Sequence, residues 1–456
     1  MTREAGPLSR SYLEVTLAVL ALVTIVAFEA MAVSTAMPTV ARDLDAVRSY
    51  GFAFSVMLTA QLLGIVLAGV WSDRSGPMVG AVTGQFLLAA GAAMCGSATT
   101  LPLFLAGRAL TGLGGGLLVV MLYVIAGRFY PEAIRPRLFT YVSAAWVLPS
   151  LLGPPISAWL TTNLSWRWVF WGVVPPVLLT MAALAHATLT CAEWSRLLTA
   201  AVRLESSIRR RAWAGLGIAL SAGAVQLGTY ELVLELSPRT SLALAGLVGV
   251  VLTAPMLVPR GTWRMARGLP SVMLARALYV GAFYGAITYV PLFLVGQRGL
   301  SLQTAGLSLA VGAIGWAAGA WYQGHDGLHL PRYRLVEVGG LLLASGLVVT
   351  SAVAWLGLAW WIVPIALVVT GVAMGAGVTT TTVLALELSP VEEHGEASSS
   401  LQLADVLGSV LGIAAATAVF AARHVPGQDD ALFGAIFLGL AGVAAVAIPA
   451  GQRIRT

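Results

Sequence analysis

Apolar runs longer than about 18 residues recur from one end of this chain to the other, and each is long enough to cross a hydrocarbon layer about 30 Å thick. No other feature restricts the possible folds so strongly. Inside such a layer the backbone must satisfy its own hydrogen bonds, which leaves helices or a closed barrel. Runs of this length are helical. Only 10% of the 456 residues are charged and 58% are apolar, whereas soluble domains are about a quarter charged. The expected fold class is an all-α polytopic membrane protein.

Breaks marked by Pro, Gly and charge divide the chain into fourteen candidate spans, near 12–38, 49–71, 77–97, 101–128, 136–162, 167–189, 213–236, 240–258, 270–296, 301–323, 333–356, 359–386, 396–422 and 430–450. The first run is too long for a signal-peptide core and reads as a retained span. With the N-terminus inside, eighteen of the 26 basic residues, all of them Arg, fall in inner segments and six in outer loops, with Arg108 and Arg276 inside spans. That bias orients the chain with both termini in the cytoplasm. Scattered over short loops, the arginines need no nucleic-acid partner to explain them. Cys95 and Cys191 are too few and too far apart for a disulfide framework or a metal site. His325 and His329 are four apart, but Pro331 and the nearby glycines argue against a helix presenting them as metal ligands.

The longest polar interval, 190–212, carries Trp194, Leu197, Leu198, Ala201, Leu204 and Ile208 at helical spacing with arginines between them. It reads as an amphipathic helix on the inner membrane surface, with a solvated linker as the alternative. It separates six spans, 12–189, from eight. The eight divide into a pair, 213–258, and a further six, 270–450.

Within this frame, four segments carry motifs. GVWSDRSGPMVG, 69–80, is a short charged turn in which Gly76 and Pro77 suit a chain reversal. RALTGLGGG, 108–116, places an Arg inside a span, a costly position that marks function, beside glycines at 112, 115 and 116 that allow close helix approach. WVLPSLLGPPISAW, 146–159, has prolines that free backbone groups and bend a span. SWRWVFWGVVPP, from Ser165, sets tryptophans and an Arg at a span start, as an interfacial anchor does.

These segments, in this order, resemble the signatures of the major facilitator superfamily, and in particular its fourteen-helix drug:proton antiporter branch. Gly69, Asp73, Arg74 and Gly76 match the inner gating loop, although Pro77 and Met78 stand where that loop carries a basic pair. Arg108, Gly112 and Gly114 match the second signature, and Gly153 and Pro154 the antiporter kink. Trp166, Arg167, Trp168, Phe170 and Pro175 match the loop that follows. LARALYVGAFYGAITYVPLFL, 274–294, and GEASSSLQLADVLGSVLG, 395–412, are similar to the first and penultimate helices of the branch's second bundle; GHDGLHLPRYR, 324–334, occupies the place of a degenerate second inner loop. IVAFEAMAVSTAMP, 25–38, resembles the first-helix signature, with Glu29 at the family's Asp position.

The resemblance implies two six-helix bundles around a substrate site, with an inserted helix pair between them in sequence. It implies proton-coupled export of amphipathic or lipophilic molecules such as drugs, without cofactor, metal or catalytic residues, by a monomer in the cell membrane. Export of a native lipid or metabolite is the nearest alternative, and a non-transporting receptor a more distant one. Glu29, Asp405 and Arg108 are the expected proton-coupling residues, because their spans line the cavity if the family fold holds. Burial favours the neutral form of a carboxylic acid, so such a group can pick up a proton on one side and release it on the other. Trp146, Tyr284, Tyr289 and Gln402 are the expected cavity residues beyond the charges. Arg276 and Glu387 are expected near inner ends, where they snorkel or pair.

Overall fold

A computed structural model describes residues 6–9, 12–131, 134–190, 206–229, 238–324, 330–390 and 394–455. Among them the regular structure is helical: α1 (Leu13–Asp43), α2 (Tyr50–Gly96), α3 (Leu101–Phe129), α4 (Arg135–Asn163), α5 (Arg167–Trp171), α6 (Val174–Thr190), α7 (Ser206–Thr229), α8 (Pro238–Thr253), α9 (Leu269–Gly296), α10 (Leu302–Gln323), α11 (Arg332–Leu356), α12 (Ile362–Glu387), α13 (His394–Arg423) and α14 (Asp430–Gln452). Eleven segments of these helices are long and apolar enough to cross a membrane. Large apolar side chains stand exposed along helix after helix, as at Leu244, Leu247, Val251 and Leu252 of α8. In water such surface would be a liability; against lipid it is the expected outside.

Three of the fourteen expected spans are not among the eleven. α4 is long enough but is diluted by Pro149, Pro154, Pro155 and polar residues. α7 begins ahead of the expected span, at Ser206, and the shorter apolar stretch Thr240–Met256 includes a turn of 3-10 helix over Ala254–Met256. The interval 191–205, which holds most of the amphipathic segment, lies outside the described residues, as do His325, Asp326, Gly327 and His329.

Two local differences from expectation have clear causes. Spans 2 and 3 share one run of helical backbone, α2, instead of being parted by an open turn. The Gly64 position packs on Leu113, Gly116 and Leu117, and the Gly84 position on Gly114, Leu117 and Leu118. A straight helix would separate those two glycines by about 30 Å, so the chain folds back on itself between them. The sixth span is broken: α5 ends at Gly172, and α6 starts just before Pro175 and Pro176. Proline has no N–H to give an ongoing helix, but costs nothing in a first turn.

The chain forms two compact units: 1–36 with 59–216, and 37–58 with 217–456. In the first, α1, the second arm of α2, α3 and α6 enclose a core of Ile25, Val26, Leu88, Ala89, Ala92, Leu118, Val173 and Val177. α3 reaches both arms of α2 through consecutive small residues. A Cβ on Gly114 would stand 2.6 Å from the Gly84 carbonyl, and one on Gly116 would stand 2.9 Å from the Ile65 nitrogen. One residue turns a helix by about 100°, so Gly115, between them, faces open space. The expected close approach therefore holds at Gly116 but not at Gly115. In the second unit α9 and α13 run in parallel, and Gly281 and Gly285 lie against the backbone of Gly408 and Gly412. Small residues four apart on both helices bring the backbones together.

Candidate functional site: two acid–arginine pairs

Among the described residues, each unit holds a carboxylate–arginine pair well inside its spans, while Arg298–Asp430 and Arg332–Glu387 pair at helix ends. In the first unit, Glu29 sits 16 residues into α1, about 24 Å along the helix from Leu13. Arg108 approaches from α3, and its Nη1 donates to Glu29 Oε1. Both residues are 1% exposed. Beside the arginine, α3 lies close against the second arm of α2: a Cβ on Gly107 would lie 2.7 Å from Cys95 Sγ and 2.8 Å from the Gly91 carbonyl. Cys95 lies within electrostatic range of both charges. On the remaining side α4 is bonded to α1, because Ser157 Oγ donates to the Ala32 carbonyl at 2.6 Å. Gly153 packs there too, against Phe28, Met31 and Ala32, at distances that would admit a Cβ in ordinary contact. Helix α4 runs through Pro154 and Pro155 without interruption.

The second pair is built by the α9–α13 register. Arg276 lies about a turn before Gly281, and Asp405 about a turn before Gly408, so the glycine contact sets them face to face. The guanidinium grips both carboxylate oxygens: Nη2 donates to Oδ2 at 2.8 Å, and Nε donates to Oδ1. Its Nη1 donates to Thr381 Oγ1 at 3.2 Å and Thr382 Oγ1 at 3.1 Å on α12. Such bidentate pairing is the strong form of an arginine–carboxylate contact. Arg276, seven residues into α9, thus pairs, one of the two outcomes expected for it, and Asp405 is its partner. The two pairs differ in access. The side chain of Asp405 is 32% exposed, whereas Glu29 is sealed.

Of the four expected cavity residues, two lie in the neighbourhood of the second pair. Tyr284 is half-buried and within electrostatic range of Asp405 and Arg276. Gln402, also half-buried, precedes Asp405 by one helical turn. Trp146 is 37% exposed on α4 of the first unit. Tyr289 is different: it is fully buried, donates to Thr417 Oγ1 at 3.2 Å, and packs among Tyr50, Phe420 and Phe433. It fills a core and lines no opening.

The remaining motif residues divide similarly. The backbone of Gly69, Asp73, Arg74 and Gly76 is helical, and their side chains lie outside the described set. Trp166 is buried against Phe104 and Phe170, with the Arg167 guanidinium 4.3 Å from its ring centre and bonded to the Ala98 carbonyl at 3.1 Å. This tryptophan is a core residue, while Trp168 and Trp171 hold the exposed positions of an anchor. Glu387 pairs with Arg332 at the surface. The sequence named Arg276 as a charge within a span but not as the partner of Asp405. The signal for that pairing was the matched G-x-x-x-G spacing at 281 and 285 and at 408 and 412.

Known proteins with similar sequence and structure place this arrangement in context. The chain is 26% identical over 446 residues to an uncharacterised MFS-type transporter of Mycobacterium tuberculosis, covering 91% of this chain and 60% of that protein. It therefore spans about three fifths of that relative's length. It is 25% identical over 427 residues to the multidrug transporter protein MdtP of Bacillus subtilis, covering 87% of this chain and 73% of that protein. Among solved structures, a peptide transporter bound to alafosfalin superposes with a TM-score of 0.73 at 14% identity, covering 99% of this chain and 98% of that one. A D-xylose–proton symporter superposes with a TM-score of 0.63 at 16% identity, over 96% of this chain and 98% of that one. The sequence model of the Major Facilitator Superfamily matches residues 19–413. With its all-helical fold, the chain belongs to the major facilitator superfamily.

Proposed function

We propose that this protein is a proton-coupled antiporter of the cell membrane, exporting amphipathic or lipophilic small molecules such as drugs by alternating access. The observation that carries this reading is the pair of acid–arginine contacts, one sealed and one open. A carboxylate that takes a proton loses its charge and releases its arginine, which cannot itself deprotonate. Burial favours the neutral acid and the arginine favours the anion, so small movements of the helices shift which form prevails. The side chain of Asp405 is open to water in the conformation described, whereas that of Glu29 is enclosed, so in this reading the two acids become accessible in different states of the cycle. Protonation and substrate binding then bias one shared equilibrium between inward- and outward-facing states.

Several other features support the reading. The multidrug transporter protein MdtP and the multidrug resistance protein 3 of Bacillus subtilis, and a multidrug efflux pump of Staphylococcus aureus, are among the relatives. Tyr284 and Gln402 beside Asp405 give an open site both aromatic surface and hydrogen-bonding capacity. α4, α7 and α8 complete fourteen spans in this reading, as in the fourteen-helix branch. The units of function are then 12–189, the surface segment 190–212, the inserted pair 213–258 and 270–450, with both termini cytoplasmic. The loop residues Gly69, Asp73, Arg74 and Gly76 serve as the inner gate, and the monomer suffices.

The test is flux of a lipophilic fluorescent cation in proteoliposomes under an imposed pH gradient. Wild type moves the dye against its gradient; Glu29→Gln and Asp405→Asn each lose gradient-driven flux but keep substrate-exchange or downhill movement. If both variants retain full gradient-driven flux, neither acid couples protons and the proposal fails.

A further inference from the structure

The second unit has another concentration of charge, remote in sequence from Glu29 and built at the end where α9 begins and α14 ends. Gly268, at φ 80°, turns the chain into α9, and its amide donates to the Arg453 carbonyl at 3.0 Å. That bond ties the start of one span to the end of another. Ile454 is 3% exposed and anchors the tail inward, so its neighbours Arg453 and Arg455 stand on the exposed side. The Arg455 guanidinium lies 5.9 Å from the centre of the Tyr333 ring. Together with Arg267 and Gln452 these two arginines line a cavity of about 440 Å³.

The charge there is unbalanced. Among the described residues, no carboxylate stands within ion-pair distance of Arg267, Arg453 or Arg455. Among the described residues, Glu337 of α11 lies half-buried against Gly451. The three exposed arginines make the described lining of the cavity positive, and its volume is that of a pocket for a small ligand.

The surroundings indicate the kind of anion. The spans Leu269–Gly296 and Asp430–Gln452 end at the cavity, which puts it at a membrane boundary. Trp263, 47% exposed in the turn before α9, has the interfacial position that tryptophan favours. An exposed apolar stripe of Leu438, Gly439, Gly442, Val446 and Pro449 runs along α14 to the cavity, and the space beside Gly439 and Gly442 is open. A phosphate at the cavity would continue directly into an acyl chain on this stripe.

We propose that this pocket binds the phosphate of an anionic phospholipid headgroup, with one acyl chain lying along α14. The chemistry is bidentate recognition of phosphate oxygens by arginine, at a site where juxtamembrane basic residues attract anionic lipid. It is independent of proton coupling and of substrate export.

The test uses the full-length protein in phosphatidylcholine nanodiscs with phosphatidylglycerol titrated in, bound lipid being counted by native mass spectrometry. Each of Arg267→Gln, Arg453→Gln and Arg455→Gln is expected to weaken phosphatidylglycerol binding about fivefold, and Arg267→Lys to weaken it less. Arg260→Gln, exposed on the same segment but outside the cavity, is expected to leave binding unchanged. Inorganic phosphate at millimolar concentration is expected not to compete. Equal binding by wild type and the triple variant overturns the proposal, and so does an equal loss in Arg260→Gln, which would mean diffuse surface attraction. Competition by inorganic phosphate assigns the pocket to a free anion and overturns the lipid. Should the triple variant not fold, Arg455→Gln decides alone, since among the described residues its guanidinium has the Tyr333 ring, 5.9 Å away, as its interaction partner.

Discussion

Replacing Glu29 by Gln isolates what a sealed ion pair does in this fold. Arg108 and Glu29 are each 1% exposed, so the guanidinium cannot be rescued by water when its carboxylate is neutralised. Breaking a buried pair by removing one partner costs about 3–5 kcal/mol. The Gln carbonyl still accepts one hydrogen bond, which returns about 1 kcal/mol, and leaves a net loss of about 2–4 kcal/mol. Asp405→Asn is the internal control. Its side chain is 32% exposed, and Arg276 keeps Thr381 and Thr382. Water and the threonines hold that loss to about 1 kcal/mol. Thermal unfolding of the purified protein in one detergent, followed by tryptophan fluorescence, is expected to rank Glu29→Gln well below Asp405→Asn in midpoint. Adding Arg108→Met to Glu29→Leu removes both charges and is expected to recover much of the loss suffered by Glu29→Leu alone. An Asp405→Asn midpoint as low as that of Glu29→Gln, or no recovery in the double variant, would refute the reasoning, because burial would then not govern the cost.

Two further expectations concern the second unit. Gly408→Val drives a branched side chain into the Ala277 carbonyl across the α9–α13 contact; it is expected to cost about 1–3 kcal/mol, to separate Arg276 from Asp405, and to abolish gradient-driven flux, measured by unfolding midpoint and proteoliposome transport together. Tyr289→Phe removes one buried hydrogen bond to Thr417 and is expected to lower stability by about 1 kcal/mol with substrate affinity intact, whereas Tyr284→Phe is expected to change substrate affinity with stability intact, both read by dye binding and thermal unfolding.

The contrast between the two tyrosines shows how far one-dimensional reading reaches. Both stand five residues apart on α9 in the same aromatic, apolar run, and the sequence treats them alike. Five residues is about 140° of helical rotation, and the packing of Phe420 and Phe433 makes one side of α9 a core. Trp166 and Trp168 divide the same way within one short helix turn: one is clasped by Phe104 and Phe170, the other exposed. Likewise Pro149, Pro154 and Pro155 are legible as irregularities of the fifth span, but only the neighbouring helix accounts for Ser157, whose partner is the Ala32 carbonyl, 125 residues away.

By itself the sequence determined that this chain is a polytopic helical membrane protein, which residues are charged within the spans, and which motifs link it to its superfamily. Those properties follow from local composition, because a lipid-crossing segment must be apolar and must pair its own backbone. Which charge meets which, and whether water reaches it, only the tertiary structure decided. Glu29 and Arg108 lie 79 residues apart, and Arg276 and Asp405 lie 129 apart; the second pair meets because glycines let α9 and α13 touch at one register. Burial comes from the remaining helices around them. So an acid that the sequence marks as one kind of group becomes two in the fold: Glu29, sealed against its arginine, and Asp405, open on one side.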